Sequence, residues 1–201
     1  MSLHFPPQPS HTRDIKHLLQ VLASVVSPRG AVYLSAPITS GKRFVRHSEG
    51  NSVDLNRDEL VRHVITPNLA HAASIVERLR REGIGPLIDP TAVDDFADWT
   101  QDDYRHLWGS VIERYAHTVV FVDDWHHSNG CAYEFLVAQR CGLTTRNERD
   151  SIISLQDGIE LVQSAIEESK AMGTRTTFLE HVLDALCEVQ SSDRQVVLSS
   201  S

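Results

Sequence analysis

The residue whose type and setting could do chemistry is Glu134, in the run Ser128-Asn129-Gly130-Cys131-Ala132-Tyr133-Glu134. A carboxylate in the first turns of a helix is favoured in its ionised form by the helix dipole and nearby amides. An ionised carboxylate can attack an anomeric carbon or stabilise the oxocarbenium-like state that forms there. Ser128 and Gly130, at a loop–helix junction, offer a hydroxyl and exposed amides to a phosphate or sugar oxygen. Trp125 and Tyr33 offer faces on which a base could stack. The plain alternative is a solvated acid that serves only as a dipole partner, and both readings stand on the sequence.

Other reactive residues carry weaker patterns. Asp123, Asp124, His126 and His127 hold metal-ligating groups, but no third ligand stands at a spacing such as His-Glu-x-x-His, so solvated loop residues are the expectation and no metal is called for. Cys131 lacks a histidine at a family-specific spacing and reads as a buried thiol. The loop Ala36-Pro37-Ile38-Thr39-Ser40-Gly41-Lys42-Arg43 fails as a phosphate-binding P-loop, because Ala36 replaces the first glycine and Arg43 the magnesium-binding hydroxyl. A Gly-x-Gly-x-x-Gly fingerprint is absent too, so no cofactor is expected. What remains is a loop whose amides, with Lys42, Arg43 or Arg46, could hold an anion, or simply a solvated basic loop.

The elements that must position these groups follow from periodicity. Ala31 to Ser35 and Val119 to Val122 are short apolar runs that predict buried strands. Gly85 to Asp89 predicts a third, and Ser151 to Leu155 a fourth. Helices are expected at Asp14–Val26 (with Ser10 or Thr12 as cap), from Thr66-Pro67 to Gly83, at Asp102–Tyr115, from Gly130 to Gly142, at Gly158–Met172 and from Thr177. Arg57 to Val64 suggests a further short helix, and Gly50, Asn51 and Ser52 an excursion. Asp94, Asp95 and Asp98 fall in an acidic loop. Met1 to His11 reads as a mobile arm, 12–190 as one domain, and 191–201 as a frayed tail with a possible strand at Val196–Leu198. Strands alternating with helices predict an α/β fold, doubly wound on a mainly parallel sheet, with extra N- and C-terminal helices.

Composition bounds the function. The 201 residues are 41% hydrophobic with a net charge of −8 and a pI near 5.7. That acidic balance opposes sequence-independent binding of a nucleic-acid polymer but permits a single nucleotide. Three cysteines without a C-x-x-C pair, no signal peptide pattern and no membrane-length apolar run predict a cytoplasmic chain with no membrane association.

Three segments together carry a resemblance. Tyr33-Leu34-Ser35-Ala36-Pro37-Ile38 is similar to the first-strand signature of the nucleoside 2-deoxyribosyltransferase-like superfamily. Ser128 to Glu134 resembles its S-x-G-x-(G/A)-x-E motif, particularly in the deoxynucleoside 5′-monophosphate N-glycosidases. Asn68, Leu79, Gly83 and Asp89-Pro90 resemble the intervening spacing of bacterial and phage relatives, which carry a tryptophan where Trp125 stands. The resemblance implies a flavodoxin-like sheet and cleavage or transfer at the N-glycosidic bond of a small nucleotide or nucleoside. It implies Glu134 as nucleophile, Ser128 and Gly130 at the 5′-phosphate or sugar end, and Tyr33, Pro37 and Ile38 around base and sugar, with Ser35 and Ala36 between them. It also implies a homo-oligomer. Two positions depart. The aspartate expected as general acid corresponds to Gly109, which leaves Asp103, or less directly Asp102, for that role. The phosphate-gripping cation corresponds to Thr39, which leaves Lys42 or Arg43. A sensor that has kept the pocket without the chemistry, and an NAD glycohydrolase, are the other expectations.

Overall fold

The computed structural model describes residues 8–48, 56–93 and 96–199. The expected excursion at 50–52, most of the N-terminal arm, and Asp94 and Asp95 lie outside them. Four strands, β1 (Ala31–Ser35), β2 (Leu87–Ile88), β3 (Ala116–Phe121) and β4 (Thr144–Asn147), form one sheet in the order β2-β1-β3-β4. Every pairing is parallel. Eight α-helical segments complete the described chain: α1 (Thr12–Val25), α2 (Lys42–Ser48), α3 (Arg57–Leu60), α4 (Thr66–Arg81), α5 (Gln101–Tyr115), α6 (Asn129–Arg140), α7 (Leu155–Ala171) and α8 (Thr177–Ser199). This is the α/β doubly wound architecture expected.

Strand periodicity divides the core. Val32, Leu34, Val120 and Val122 point to one face and pack on Ala72, Ile75, Val76 and Leu79 of α4. Tyr33, Val119 and Phe121 point to the other and join a larger cluster with α1, α5, α6, α7 and α8. Such alternation on a sheet covered on both faces requires apolar residues at successive positions. The C-terminal helices contribute Val162, Ile166, Leu179, Val182 and Leu186 to that larger cluster, so their stripes are core. Because α4 and α6 lie on opposite faces, the chain reverses direction across the sheet between β1 and β3. The crevice outside the carboxyl ends of those strands is where open α/β sheets bind ligands.

Several boundaries differ from expectation for physical reasons. Thr66 does not cap a helix. The chain is already helical from Arg57, capped by Asn56, whose side chain accepts from the Glu59 amide at 2.9 Å. It passes through a π-helical turn at Val61–Ile65 into α4. Proline at position 67 lacks the N–H of a regular ladder, and a π turn is a known way to absorb such a break. The fourth strand is Thr144–Asn147, not 151–155, where Ile152 makes only an isolated bridge to Arg146. α7 begins at Leu155, three residues early, because Ser154 and Asp157 form a capping box. Neither Ser10 nor Thr12 caps α1; His11 occupies that position without a side-chain cap bond. Residues 196–198 belong to α8, not to a strand, so the helix continues where a tail was expected.

Candidate active site

β1 and α6 build the site. Tyr33 and Ser35 are two apart on a strand, so both side chains emerge on the face that α6 covers. α6 starts at Ser128, whose hydroxyl accepts from the Cys131 amide, and Glu134 follows on its second turn. There the two strand hydroxyls clamp it. Tyr33 donates to Oε1 of Glu134 at 2.6 Å, and Ser35 donates to Oε2 at 2.6 Å. Both carboxylate oxygens are therefore engaged, and the group lies at the carboxyl end of β1, beside the switch between β1 and β3.

The electrostatics reverse the expectation for this acid. Glu134 stands beyond the first turn of α6 and is 9% exposed. Burial raises its pKa from 4.5 to about 7, against the opposing pull of the Ser35 and Tyr33 hydrogen bonds. Desolvation wins over hydrogen bonding here, and the helix dipole is not the controlling influence. Tyr33 is itself fully buried, with its phenol pushed well above the ordinary value by burial and then by Glu134. It remains a hydrogen-bond donor throughout the physiological range. Cys131, one turn before Glu134, is the buried thiol expected, and burial pushes it up to about 12, so it stays protonated at neutral pH.

The loop after β1 is tied down from α4. Buried Asn68 donates to the carbonyls of Ile38 and Ser40 at 2.9 and 3.1 Å and accepts from Arg43 at 2.7 Å. Gly41 adopts φ +89°, and a side chain there would meet Pro37 at 3.0 Å, so the turn requires glycine. Ser40 donates to Ser128 at 3.0 Å, which joins this loop to the start of α6. Gly130 lies in the first turn of α6. Pro37 is buried, Ala36 and Ile38 are half-buried, and Thr39 is exposed. A narrow cleft runs between Pro37, Gly41, Lys42 and Arg43 on this side and Val122, Asp123 and Asp124 on the other.

Several expected roles do not survive. Trp125 is 3% exposed and packs its ring 4.8 Å from Phe121 and 4.7 Å from Phe135, so it is core and offers no face to a base. Tyr33 likewise offers its hydroxyl, not a stacking face. Lys42 pairs with Glu168 at 3.3 Å and Arg43 with Asn68, so each cation of the loop already has a partner. Asp103 is fully buried at the start of α5. Its carboxylate accepts from the Thr100 hydroxyl and amide and from the His11 amide at 2.6, 2.8 and 2.8 Å. Those bonds outweigh burial and hold it far below the usual carboxylate range, so it carries no proton to give at neutral pH. Asp103 is a capping-box residue. At Gly109 a β-carbon would meet the Tyr133 ring at 3.2 Å, so the phenol fills the space an acid would take.

Of the loop residues expected to be solvated, Asp123 is exposed and Asp124 and His126 are half-buried, but His127 is buried. Asp124 adopts a left-handed conformation, and Trp125–His127 forms a single 3₁₀ turn. The sequence reading also missed the strand hydroxyls as holders of Glu134. Their spacing of two marks a shared face of β1 but does not name the partner on α6. No family model, curated protein or solved structure matches this chain.

Proposed function

We propose that the protein cleaves or transfers at the N-glycosidic bond of a nucleotide or nucleoside, with Glu134 as nucleophile. The observation that carries this reading is the two-hydroxyl clamp on a buried carboxylate at the β1/β3 switch. Such a clamp fixes the direction of attack and disperses negative charge without neutralising it. Glu134 attacks C1′, the C1′–N bond breaks with its electron pair leaving on the base, and a glycosyl-carboxylate ester forms. Water or an acceptor hydroxyl then displaces the carboxylate, with overall retention.

A neutral base must be protonated as it leaves, whereas a pyridinium base departs neutral without a proton. With Asp103 committed to its cap and no side chain at Gly109, the site favours a leaving group that already bears positive charge. The nicotinamide of NAD is such a group, and this observation supports the glycohydrolase form of the reading. A ligand sensor is favoured instead by how little of Glu134 is exposed.

One experiment separates them. The protein is incubated with NAD and with a panel of ribo- and deoxyribonucleotides, and free base is quantified by chromatography beside Glu134→Gln. Release of nicotinamide or another base that disappears in the variant is the expected result. A ligand-induced thermal shift without any base released would establish the sensor, and no shift with no release would remove both readings.

A further inference from the structure

The turn between β3 and α6 gathers groups that the glycosidic reading does not use. Asp124, His126 and His127 each present a ligand atom, and these atoms all lie within 4.8 Å of one another. The local backbone brings them together. Asp124 sits at φ 64° and ψ 14°, a left-handed conformation that aspartate tolerates better than most residues, and it leads directly into the 3₁₀ turn. The His127 amide donates to the Asp124 carbonyl at 3.1 Å, which holds the two residues on one turn. His126 stands with its ring centroid 4.5 Å from that of His127.

The hydrogen bonding of His127 supplies the second observation. Its side chain is 0% exposed, and its Nε2 meets Oε2 of Glu168, on α7, at 3.2 Å. If Nε2 carries the proton toward Glu168, Nδ1 is left as an unprotonated lone pair. That Nδ1 is buried and has no hydrogen-bond partner, and the same is true of Nδ1 of His126. Two imidazole nitrogens left without partners in one buried corner are costly unless something accepts their lone pairs. A carboxylate on the far nitrogen of a histidine is the usual arrangement behind a metal ligand, because it fixes the tautomer and strengthens the donor.

We propose that Asp124, His126 and His127 bind a divalent transition-metal ion of the zinc class, with Glu168 orienting His127 from behind. Two nitrogen donors and one carboxylate suit zinc and its neighbours, while magnesium and calcium take oxygen donors. Lys42 faces the cluster from α2, and its pairing with Glu168 at 3.3 Å balances one positive charge with one negative. Asp124 then supplies the net negative charge that a dication requires. Three protein ligands leave a coordination position for water or a ligand oxygen. The turn runs straight into Ser128, so the ion lies in the chain segment that meets the β1 loop. This proposal does not depend on Glu134 being a nucleophile.

The test is metal binding by the untagged 201-residue chain after chelator stripping. Titration calorimetry with Zn2+ is expected to show one strong site, and Mg2+ to show none. Co2+ is expected to give the intense visible bands of low-coordinate cobalt. Glu168→Gln, which removes the carboxylate behind His127 and with it the ion-pair partner of Lys42, is expected to weaken Zn2+ by about 10- to 100-fold. Asp124→Asn and His126→Gln, both at half-exposed positions, are expected to weaken it further while the circular dichroism spectrum is unchanged. If the stripped protein binds no Zn2+, or if the Asp124→Asn/His126→Gln double variant binds it as tightly as the parent, the site does not exist. Equal affinity for Mg2+ would overturn the assignment to the zinc class.

Discussion

At the scale of single residues, the decisive contest is over Glu134, where burial and two hydrogen bonds pull its proton affinity in opposite directions. With a pKa near 7, the ionised form that the proposed reaction requires becomes dominant only as pH passes neutrality. Base release is therefore expected to have a rising limb in kcat/KM with an apparent pKa near 7. Tyr33→Phe and Ser35→Ala each remove a donor that favours the charged form, so both are expected to move that limb to higher pH. The same changes are expected to lower the rate by about ten- to a hundredfold, the usual worth of a hydrogen bond to a charged group. A pH–rate profile of the three proteins checks both effects. Stability follows from the same shift. A carboxyl whose folded pKa lies above its unfolded value binds its proton more tightly when folded. Its stabilising contribution is complete below pH 4.5 and is lost as pH rises to about 7. The loss corresponds to about 3 kcal/mol. Glu134→Gln removes this penalty while keeping one acceptor and one donor for the two hydroxyls. Chemical denaturation at pH 5 and pH 8 is expected to show the variant gaining about 2–3 kcal/mol on the parent between the two.

Between elements, close approaches decide which residues can stand at an interface. Gly158 of α7 lies against α6, where an added β-carbon would fall 2.1 Å from Cε1 of Phe135. Glycine inside a helix ordinarily costs up to about 1 kcal/mol relative to alanine. Here the sign reverses, because Phe135 is completely buried and its ring is packed against those of Phe121 and Trp125. Gly158→Ala is expected to destabilise by about 1–3 kcal/mol, the usual cost of overpacking, and a thermal melt measures it. The elements themselves were largely legible. β1 and β3 show as apolar runs because a strand covered on both faces has no polar side to betray its period. β4 did not, because Thr144-Thr145-Arg146-Asn147 is an edge strand whose polar residues resemble a loop. The start of α4 was obscured for another reason: Thr66-Pro67 has the local chemistry of a helix start, and only the preceding π turn lets the helix pass through it. At the candidate site, Glu134 and Ser128 stand out in the sequence through their local motif. The clamp was not, since Tyr33 and Ser35 lie 101 and 99 residues away in sequence and no local pattern announces that meeting.

Across the whole molecule, the chain closes on itself where α1 docks against α5, and Asp103 is the fastening. His11, just ahead of α1, donates its amide to Asp103 at 2.8 Å and stacks its ring on Trp99 with centroids 5.7 Å apart. Further along, Tyr115 donates to the Leu19 carbonyl at 3.0 Å. The segment expected to be a free arm is thus anchored at its last residue, and one carboxylate both caps α5 and receives the N-terminal segment. Those two duties can be told apart from the catalytic duty that the sequence suggested. If Asp103 acted as the general acid, Asp103→Ala would lower kcat for substrates with neutral bases and leave a pyridinium substrate untouched. As a cap and anchor, it instead governs stability. Loss of its half of the capping box costs about 0.3–1.5 kcal/mol, and the freed His11 and Trp99 add to it. The folded pKa of Asp103 lies below its unfolded value of 3.8, so the stabilisation is present above that value and is lost as pH falls beneath it. Asp103→Ala is therefore expected to lower the melting temperature at pH 7, with the difference from the parent shrinking in acid below pH 4. Limited proteolysis ahead of α1 is expected to accelerate, while kcat measured below the melting transition stays the same for every substrate that the parent turns over. A selective loss of kcat on neutral bases, with melting temperature unchanged, would instead restore Asp103 as the proton donor.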